Sequence, residues 1–544
     1  MTIFPEDLSL ARYFLFDRLA EGLGKKTALR FGDRSWTYDA VAEKTRRMTG
    51  LFAEAGIRRG ERVLIVLPDV PPFAWTFFAT LARGAVVAMG NPQAPQENLQ
   101  YLVGYTRATA IVTVPQVAEM LRPLVEAHDS EVQAMFVVPD AATGSDPEAR
   151  ITEMTFGGKV KELAPALDTA HPSDPVKVHR DEPAIWLFTS GSTGEPKANV
   201  HTHRDFAFNT EVYAKKTVGY QRDDVTISVP RLFFGYATGT NLMFPFAVGA
   251  TAALFSERPT PESIVNAIAM YRPTVVTNVP TMLGKLLEHD DELTKAGKPG
   301  LDLSSIRFSL SAGEALPEPL LRRWQSRFES DVYDGIGSAE MFHIYASNRP
   351  GDIKPGSLGK VVEGYELRIL PEEAEGAGAT PCAPGEIGVL WVKGDSVSQA
   401  YWLDRDKSWR TFHGHWCRTG DLFNIDEEGY LYFAGRADDL LKVGGQWVAP
   451  LEVEECLLEH AAVAAVAVIG IEEEGLVKTK AFVVLRAGNA GTQELATTLQ
   501  EHVRTNLAKY KYPRVIEFVD DLPKNDRGKV DKKALRARKI GGAR

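Results

Sequence analysis

The alternation of short apolar runs with helical repeats constrains this chain more than any other feature. Residues 38–57 carry apolar side chains at helical spacing and end near a glycine. ERVLIVLP at 61–68 reads as a buried strand, PFAWTFFATLARG at 72–84 returns to helix, and AVVAMGN at 85–91 to strand. TAIVTVP at 109–115 and AMFVVPD at 134–140 are further strands. Strands separated by helices align in parallel and need helices on both faces. The pattern therefore predicts an α/β protein with a large N-terminal domain of parallel-rich sheets covered by helices. The polar stretch 141–180, with scattered Gly, Pro and Asp, is predicted to be a surface excursion.

A chain of 544 residues exceeds one ordinary hydrophobic core, so at least two domains are expected. The composition shifts near 436–445. After it come a helix near 450–460, strands AAVAVIG and KAFVVLRAG, a helix near 492–509, strand VIEFVDD and a basic terminal helix. That is the length of a small α+β domain. A boundary at Asp438 gives domains 1–437 and 438–544.

A formal net charge of −10 argues against nucleic acid as the main partner, although a local basic site can still hold a nucleotide. No run approaches the ~20 apolar residues of a membrane span, and the first residues lack the pattern of a signal peptide. Cys382, Cys417 and Cys456 are too scattered for a disulfide framework or a zinc site, which fits a reducing, cytoplasmic setting. No Ser-His-Asp or Cys-His arrangement offers a nucleophile.

The most informative run lies at 185–197. The apolar strand Ile185–Phe188 feeds Thr189, Ser190, Gly191, Ser192, Thr193 and Gly194, and Glu195, Pro196 and Lys197 follow. Glycines let the backbone turn tightly and aim N–H groups at an anion, the hydroxyls add donors, and Lys197 adds a cation. This suits a polyphosphate without being the Walker pattern. TSGSTGEPK resembles the signature loop of the AMP-forming, adenylate-forming enzymes, which include acyl-CoA synthetases, luciferase-type enzymes and peptide-synthetase adenylation domains.

Other segments resemble that family in family order. The turn Ser311-Ala312-Gly313-Glu314 would lie against adenine. Asp334-Gly335-Ile336-Gly337-Ser338-Ala339-Glu340 is similar to the family's Tyr-Gly-x-Thr-Glu segment, which implies a Mg²⁺ ligand in Glu340. Ile336 replaces the usual aromatic and Ala339 the usual threonine, so one hydroxyl contact to the α-phosphate is missing. Arg418-Thr419-Gly420-Asp421 implies a ribose contact from Asp421. Gly435-Arg436-Ala437-Asp438-Asp439 resembles the hinge, with Arg436 reaching ribose or phosphate and Asp438 as pivot. Pro523–Lys529 resembles the last motif, which gives Lys529 the role of bridging substrate carboxylate and α-phosphate, with Lys524 as competitor. The resemblance also implies a mobile small domain and a pantetheine channel past Gly444 and Gly445. The substrates and cofactors so implied are ATP, Mg²⁺ and coenzyme A.

Arg231–Gly239 places three aromatics in four positions, and in similar enzymes this region forms the acyl pocket. No carboxylate lies within it to balance an amino acid's ammonium. LFFGYATG and GIGSAEMFHIYASN resemble benzoate-type CoA ligases, which implies a ring pocket lined by Gly235, Tyr236, Ile336 and His343. The resemblance points to an aryl-acid–CoA ligase acting on a substituted benzoate, first 2-aminobenzoate or benzoate, through an acyl-AMP. A medium-chain acyl-CoA synthetase and a non-catalytic nucleotide-binding protein are the alternatives. The partners are small molecules, with no membrane; a homodimer is left open.

Overall fold

The computed structural model describes residues 4–143, 145–190, 195–314, 316–443, 446–473, 476–523 and 530–537. Gly191, Ser192, Thr193, Gly194, Gly444, Gly445, Lys524 and Lys529 lie outside them. The chain divides into two compact units, Met1–Leu367 with Val392–Arg418, and Arg368–Trp391 with Thr419–Arg544.

Among the described residues the first unit holds a nine-stranded and an eight-stranded sheet. In the nine-stranded sheet, Val332–Gly337, Phe308–Ser311, Val275–Asn278, Val225–Ser228, Thr251–Leu254 and Thr27–Phe31 are neighbours in that order, every pair parallel. Antiparallel strands extend both edges. In the eight-stranded sheet, Pro183–Ser190, Val86–Met89, Arg62–Val66, Ala108–Thr113 and Ala134–Val137 run parallel. Pro196–Thr202 turns back against Pro183–Ser190. The central strands are almost wholly buried because helices cover both faces, and those of the nine-stranded sheet carry buried Thr226, Ser228, Thr277, Asn278, Ser309 and Ser311 among their apolar residues.

The helix Pro71–Ala82 is buried along its whole length and packs against strands of both sheets. A helix apolar all round needs such a place. On the nine-stranded sheet, helices Pro261–Tyr271, Pro280–Lys295 and Glu318–Phe328 close a core that includes Ile227, Ile268, Leu283, Leu321 and Trp324.

The stretch 141–180 is only partly the predicted surface excursion. Val160–Glu162 extends the sheet edge in parallel with Ala134–Val137, and the helix Leu163–Thr169 follows. Val160, Leu163 and Leu167 are buried, three apolar anchors sparse enough to be hidden by their polar neighbours.

In the second unit, Val463–Glu473 and Leu476–Leu485 pair antiparallel, and Val515–Phe518 joins in parallel. Helices Pro450–Leu458 and Gln493–Asn506 cover this sheet over Val453, Leu457, Val468, Val483 and Leu499. No described helix of the chain is long and apolar enough to cross a membrane.

Candidate active site

Four adjacent parallel strands of the nine-stranded sheet end together, three of them at segments singled out in the sequence; Thr281, after the remaining strand, was not among those segments. Val225–Ser228 leads to Arg231–Gly239, Val275–Asn278 to Thr281, Phe308–Ser311 to Gly313 and Glu314, and Val332–Gly337 to Glu340 and His343. Ligands of open parallel sheets bind beyond such carboxyl ends. Asn278 registers with Ser311, and Ser311 with Asp334, so the Gly313 turn and Asp334 lie side by side. Gly313 has φ +90°, a left-handed conformation that favours glycine. Thr281 donates to Glu314 Oε2 at 2.7 Å. A Cβ on Gly335 would meet the Ala346 carbonyl at 2.8 Å, so the backbone needs glycine there too. Asp334 is buried, and its Oδ1 has no hydrogen-bond partner among the described residues. Desolvation pushes its pKa up to about 8.

The strands on either side of the Thr/Ser/Gly loop form a hairpin, with Thr189 opposite Lys197 and Ser190 opposite Pro196. The Thr189 hydroxyl is buried without a partner among the described residues. Lys197 forms an ion pair with Asp404 at 2.5 Å, a partner the sequence did not suggest. Burial works against the Asp404 charge, but bonds from Lys197 and the Lys407 N–H prevail and hold its pKa down.

Glu340 sits in the single helical turn Ala339–Met341. Its Oε1 accepts from the Tyr401 hydroxyl at 2.7 Å. Burial, then the charge and hydrogen bond of Glu340, push the Tyr401 pKa far up, so the phenol stays a donor. Among the described residues no group of three or more His, Cys, Asp or Glu could hold a metal. A lone carboxylate fits a Mg²⁺ whose remaining ligands are phosphate oxygens and water.

Gly235, Tyr236 and His343 come together. His343 Nε2 donates to the Tyr236 carbonyl at 3.1 Å, and the two rings lie 5.3 Å apart. Tyr213 and Phe244 pack on the other sides of the imidazole, at 5.5 and 4.8 Å between centroids. Burial lowers the His343 pKa to about 3, so the ring is neutral and Nδ1 is an acceptor. That Nδ1 and the Tyr236 hydroxyl are buried without partners among the described residues. Ile336 lies on the strand Val332–Gly337, opposite Ala346. A Cβ on Gly235 would come 3.2 Å from Leu187 Cδ2, so a methyl there would press on Leu187. Gly239 is more tightly constrained, because its Cβ would lie 2.6 Å from His343 Cδ2.

In the second unit, Asp421 and Arg436 face each other across an antiparallel pair and form an ion pair at 3.0 Å. Gly420 takes φ +74° beside them. Asp438 falls in the turn Ala437–Asp439.

Sequence reasoning missed Tyr401, Asp404, His201, Tyr213, Phe244, Leu187 and Gly239. Leu187 and His201 flank the Thr/Ser/Gly loop, and Gly239 closes the aromatic run, so proximity to those motifs was the available signal. Tyr401 and Asp404 are more than 60 residues beyond Glu340 and 200 beyond Lys197 and had none.

Two family profiles match the chain: AMP-binding enzyme over residues 16–402, and AMP-binding enzyme C-terminal domain over residues 452–529. A benzoate–CoA ligase of Thauera aromatica is 39% identical over 98% of this chain and 96% of its own length. The crystal structure of the anthranilate CoA ligase AuaEII in complex with anthranoyl-AMP superposes with a TM-score of 0.84 at 32% identity, covering 98% of each chain. That of a benzoate CoA ligase from Burkholderia xenovorans LB400 gives 0.82 at 35% identity, covering 97% of this chain and 99% of the other.

Proposed function

Because the chain belongs to the AMP-binding enzyme family, we propose that it is an ATP-dependent aryl-acid–CoA ligase acting on a substituted benzoate, first 2-aminobenzoate. The carboxylate attacks the α-phosphorus of ATP, giving aroyl-AMP and pyrophosphate. The thiol of coenzyme A then displaces AMP to form the thioester. A free carboxylate is a poor acyl donor because oxide leaves badly, and AMP replaces it as leaving group. The main catalytic tasks are aligning two anions and neutralising charge, and no side-chain nucleophile is required.

The observation that carries the aryl reading is the cluster of Gly235, Tyr236 and His343 walled by Tyr213 and Phe244. It offers aromatic faces, no carboxylate among these five residues, and two buried polar atoms without partners among the described residues. A weakly basic 2-amino group could donate to the Nδ1 of His343 without needing a counter-ion. Ile336 completes the proposed ring pocket.

For the nucleotide, the proposal assigns the adenine to Gly313, Glu314, Asp334 and Gly335, and the ribose to Asp421 and Arg436. The phosphates fall to Thr189, Ser190, Gly191, Ser192, Thr193, Gly194 and Lys197. Lys197 would reach them only by loosening its pair with Asp404. Glu340 would hold Mg²⁺, which when bound supplies neutralising charge to the phosphates. Lys529 bridges carboxylate and α-phosphate. In this reading residues 1–437 form the adenylation domain and 438–544 a lid that turns at Asp438, with Gly444 and Gly445 bordering the pantetheine channel. Such domain steps order two half-reactions. A cytoplasmic location belongs to the same proposal.

The test is ATP–pyrophosphate exchange over a panel of benzoates and C6–C12 fatty acids, followed by addition of coenzyme A. Exchange with benzoates and thioester on addition of the thiol supports the reading. Preference for octanoate or longer acids would favour the medium-chain alternative, and no exchange with any acid a non-catalytic nucleotide binder.

A further inference from the structure

The turn that carries Glu340 is held from outside at each of its carbonyls. Ala339 O accepts from His201 Nε2 at 2.6 Å, Glu340 O from the Ser398 N–H at 2.8 Å, and Met341 O from the Ser396 hydroxyl at 2.8 Å. The Tyr401 hydroxyl holds the carboxylate itself. A turn this short has too few internal hydrogen bonds to fix its own geometry.

His201 is the unusual member. It is fully buried on the strand Pro196–Thr202, directly after the Thr/Ser/Gly loop and in the other sheet from the strand Val332–Gly337 that leads to Glu340. Its Nδ1 lies 2.7 Å from Asp205 Oδ2. That oxygen also accepts from the Thr202 N–H at 3.0 Å, and Oδ1 accepts from the Thr202 hydroxyl at 2.5 Å, in a capping box on the helix His203–Asn209. Donors surround the carboxylate, so Asp205 is the acceptor. Both imidazole nitrogens therefore lie within hydrogen-bond distance of an acceptor oxygen, carboxylate on one side and carbonyl on the other. The ring is clamped between the carboxylate and the Ala339 carbonyl by two short contacts that fix its orientation.

We propose that His201, oriented by Asp205, and Tyr401 are positioning residues that fix the backbone and the carboxylate of Glu340 for its metal. His201 thereby ties the metal ligand to the strand that leaves the phosphate loop, so that both ends of the triphosphate site share one register. The residue before Glu340 is Ala339, whose methyl offers no hydroxyl to anchor the turn, and the grip falls on its carbonyl. This rests on the reading of Glu340 as the Mg²⁺ ligand.

The test uses the full chain with ATP and no acid, and Mn²⁺ as the probe. Its Kd is read by electron paramagnetic resonance, and metal-free ATP affinity is measured in EDTA. His201→Leu removes the donor. His201→Gln keeps one N–H donor in reach of the carbonyl. Tyr401→Phe removes a single hydroxyl and leaves the buried His201–Asp205 contact intact. The expected result is Mn²⁺ affinity about tenfold weaker in His201→Leu and Tyr401→Phe. His201→Gln should restore most of it, and metal-free ATP affinity should be unchanged throughout. Unchanged Mn²⁺ affinity in Tyr401→Phe and in a folded His201→Leu, or equal loss of metal-free ATP binding, would overturn the proposal. Glu340→Gln separates the two levels. If it leaves Mn²⁺ affinity intact, the ligand reading itself fails. If it weakens Mn²⁺ while the other variants do not, only the positioning role fails.

Discussion

His343 donates through Nε2 to the carbonyl of Tyr236 at 3.1 Å, and this bond decides what the proposed acyl pocket can offer a ring. With Nε2 committed and the ring neutral, Nδ1 is left as a buried acceptor. His343→Leu should therefore lower kcat/KM for 2-aminobenzoate about fivefold more than for benzoate, the worth of roughly one hydrogen bond. The benzoate measurement is the internal control for any loss of packing. The folded pKa of about 3 lies below the ordinary 6.5, so neutral His343 favours the folded state above pH 6.5 and that contribution is lost as pH falls toward 3. Between pH 7 and 9 the kcat/KM profile should show no limb from this residue.

The two glycines of the aromatic segment should behave differently. Gly239→Ala drives a Cβ to 2.6 Å from the His343 ring, inside van der Waals contact. It should destabilise the fold by about 1–3 kcal/mol and raise KM for every aryl acid, with the KM for ATP unchanged. Gly235→Ala meets only the flexible end of Leu187 at 3.2 Å. It should leave Tm nearly unchanged while shifting the ratio of kcat/KM between benzoate and 2-aminobenzoate. Calorimetry and steady-state kinetics on both variants check this, and an equal loss for both acids in Gly235→Ala would remove that glycine from substrate selection.

Asp334 gives a prediction in pH. Its folded pKa of about 8 lies above the ordinary 3.8, so the folded state binds the proton more tightly than the unfolded chain. The stability this contributes is complete below pH 3.8 and is lost as pH rises through about 8. Asp334→Asn stays neutral, so Tm should fall less for the variant than for wild type between pH 6 and 9. Adenylation should survive the change, because an amide preserves both a donor and a carbonyl acceptor.

Lysine substitution tests the last motif. Lys529→Ala should slow adenylate formation by about 10²–10³-fold, as expected for a lost charge on the transferring phosphoryl group. Conversion of supplied aroyl-AMP to thioester should be retained. Lys524→Ala should change neither half-reaction by more than a few fold. Exchange of the two phenotypes would transfer the role to Lys524.

Much of the fold was legible because local pattern and tertiary role agree. The all-apolar run that became the helix Pro71–Ala82 fits only a place covered by both sheets, and the strands Arg62–Val66 and Val86–Met89 lie where their apolar runs predict. The Gly313 turn, Glu340 and the aromatic run were visible because each is a short motif at the end of a strand. The strand Val160–Glu162 was not, because three residues with one buried valine carry no period. The hydrogen bonds of His201 to Ala339 and of Tyr401 to Glu340 join residues 138 and 61 positions apart, and local spacing does not encode such pairs. Lys197 reads as a phosphate cation in sequence. Its pairing with Asp404 depends on the antiparallel bridge that brings Ala400–Tyr401 beside Asn199 and Val200.

Formation of an aroyl-adenylate from ATP is the step on which every proposed residue role depends. The direct measurement is mass spectrometry of purified enzyme incubated with Mg·ATP and 2-aminobenzoate or benzoate, without coenzyme A. Aroyl-AMP should accumulate with equimolar pyrophosphate and should convert to aroyl-CoA and AMP when the thiol is added. Release of ADP and phosphate, or ATP left intact with every aryl acid tried, would contradict that step.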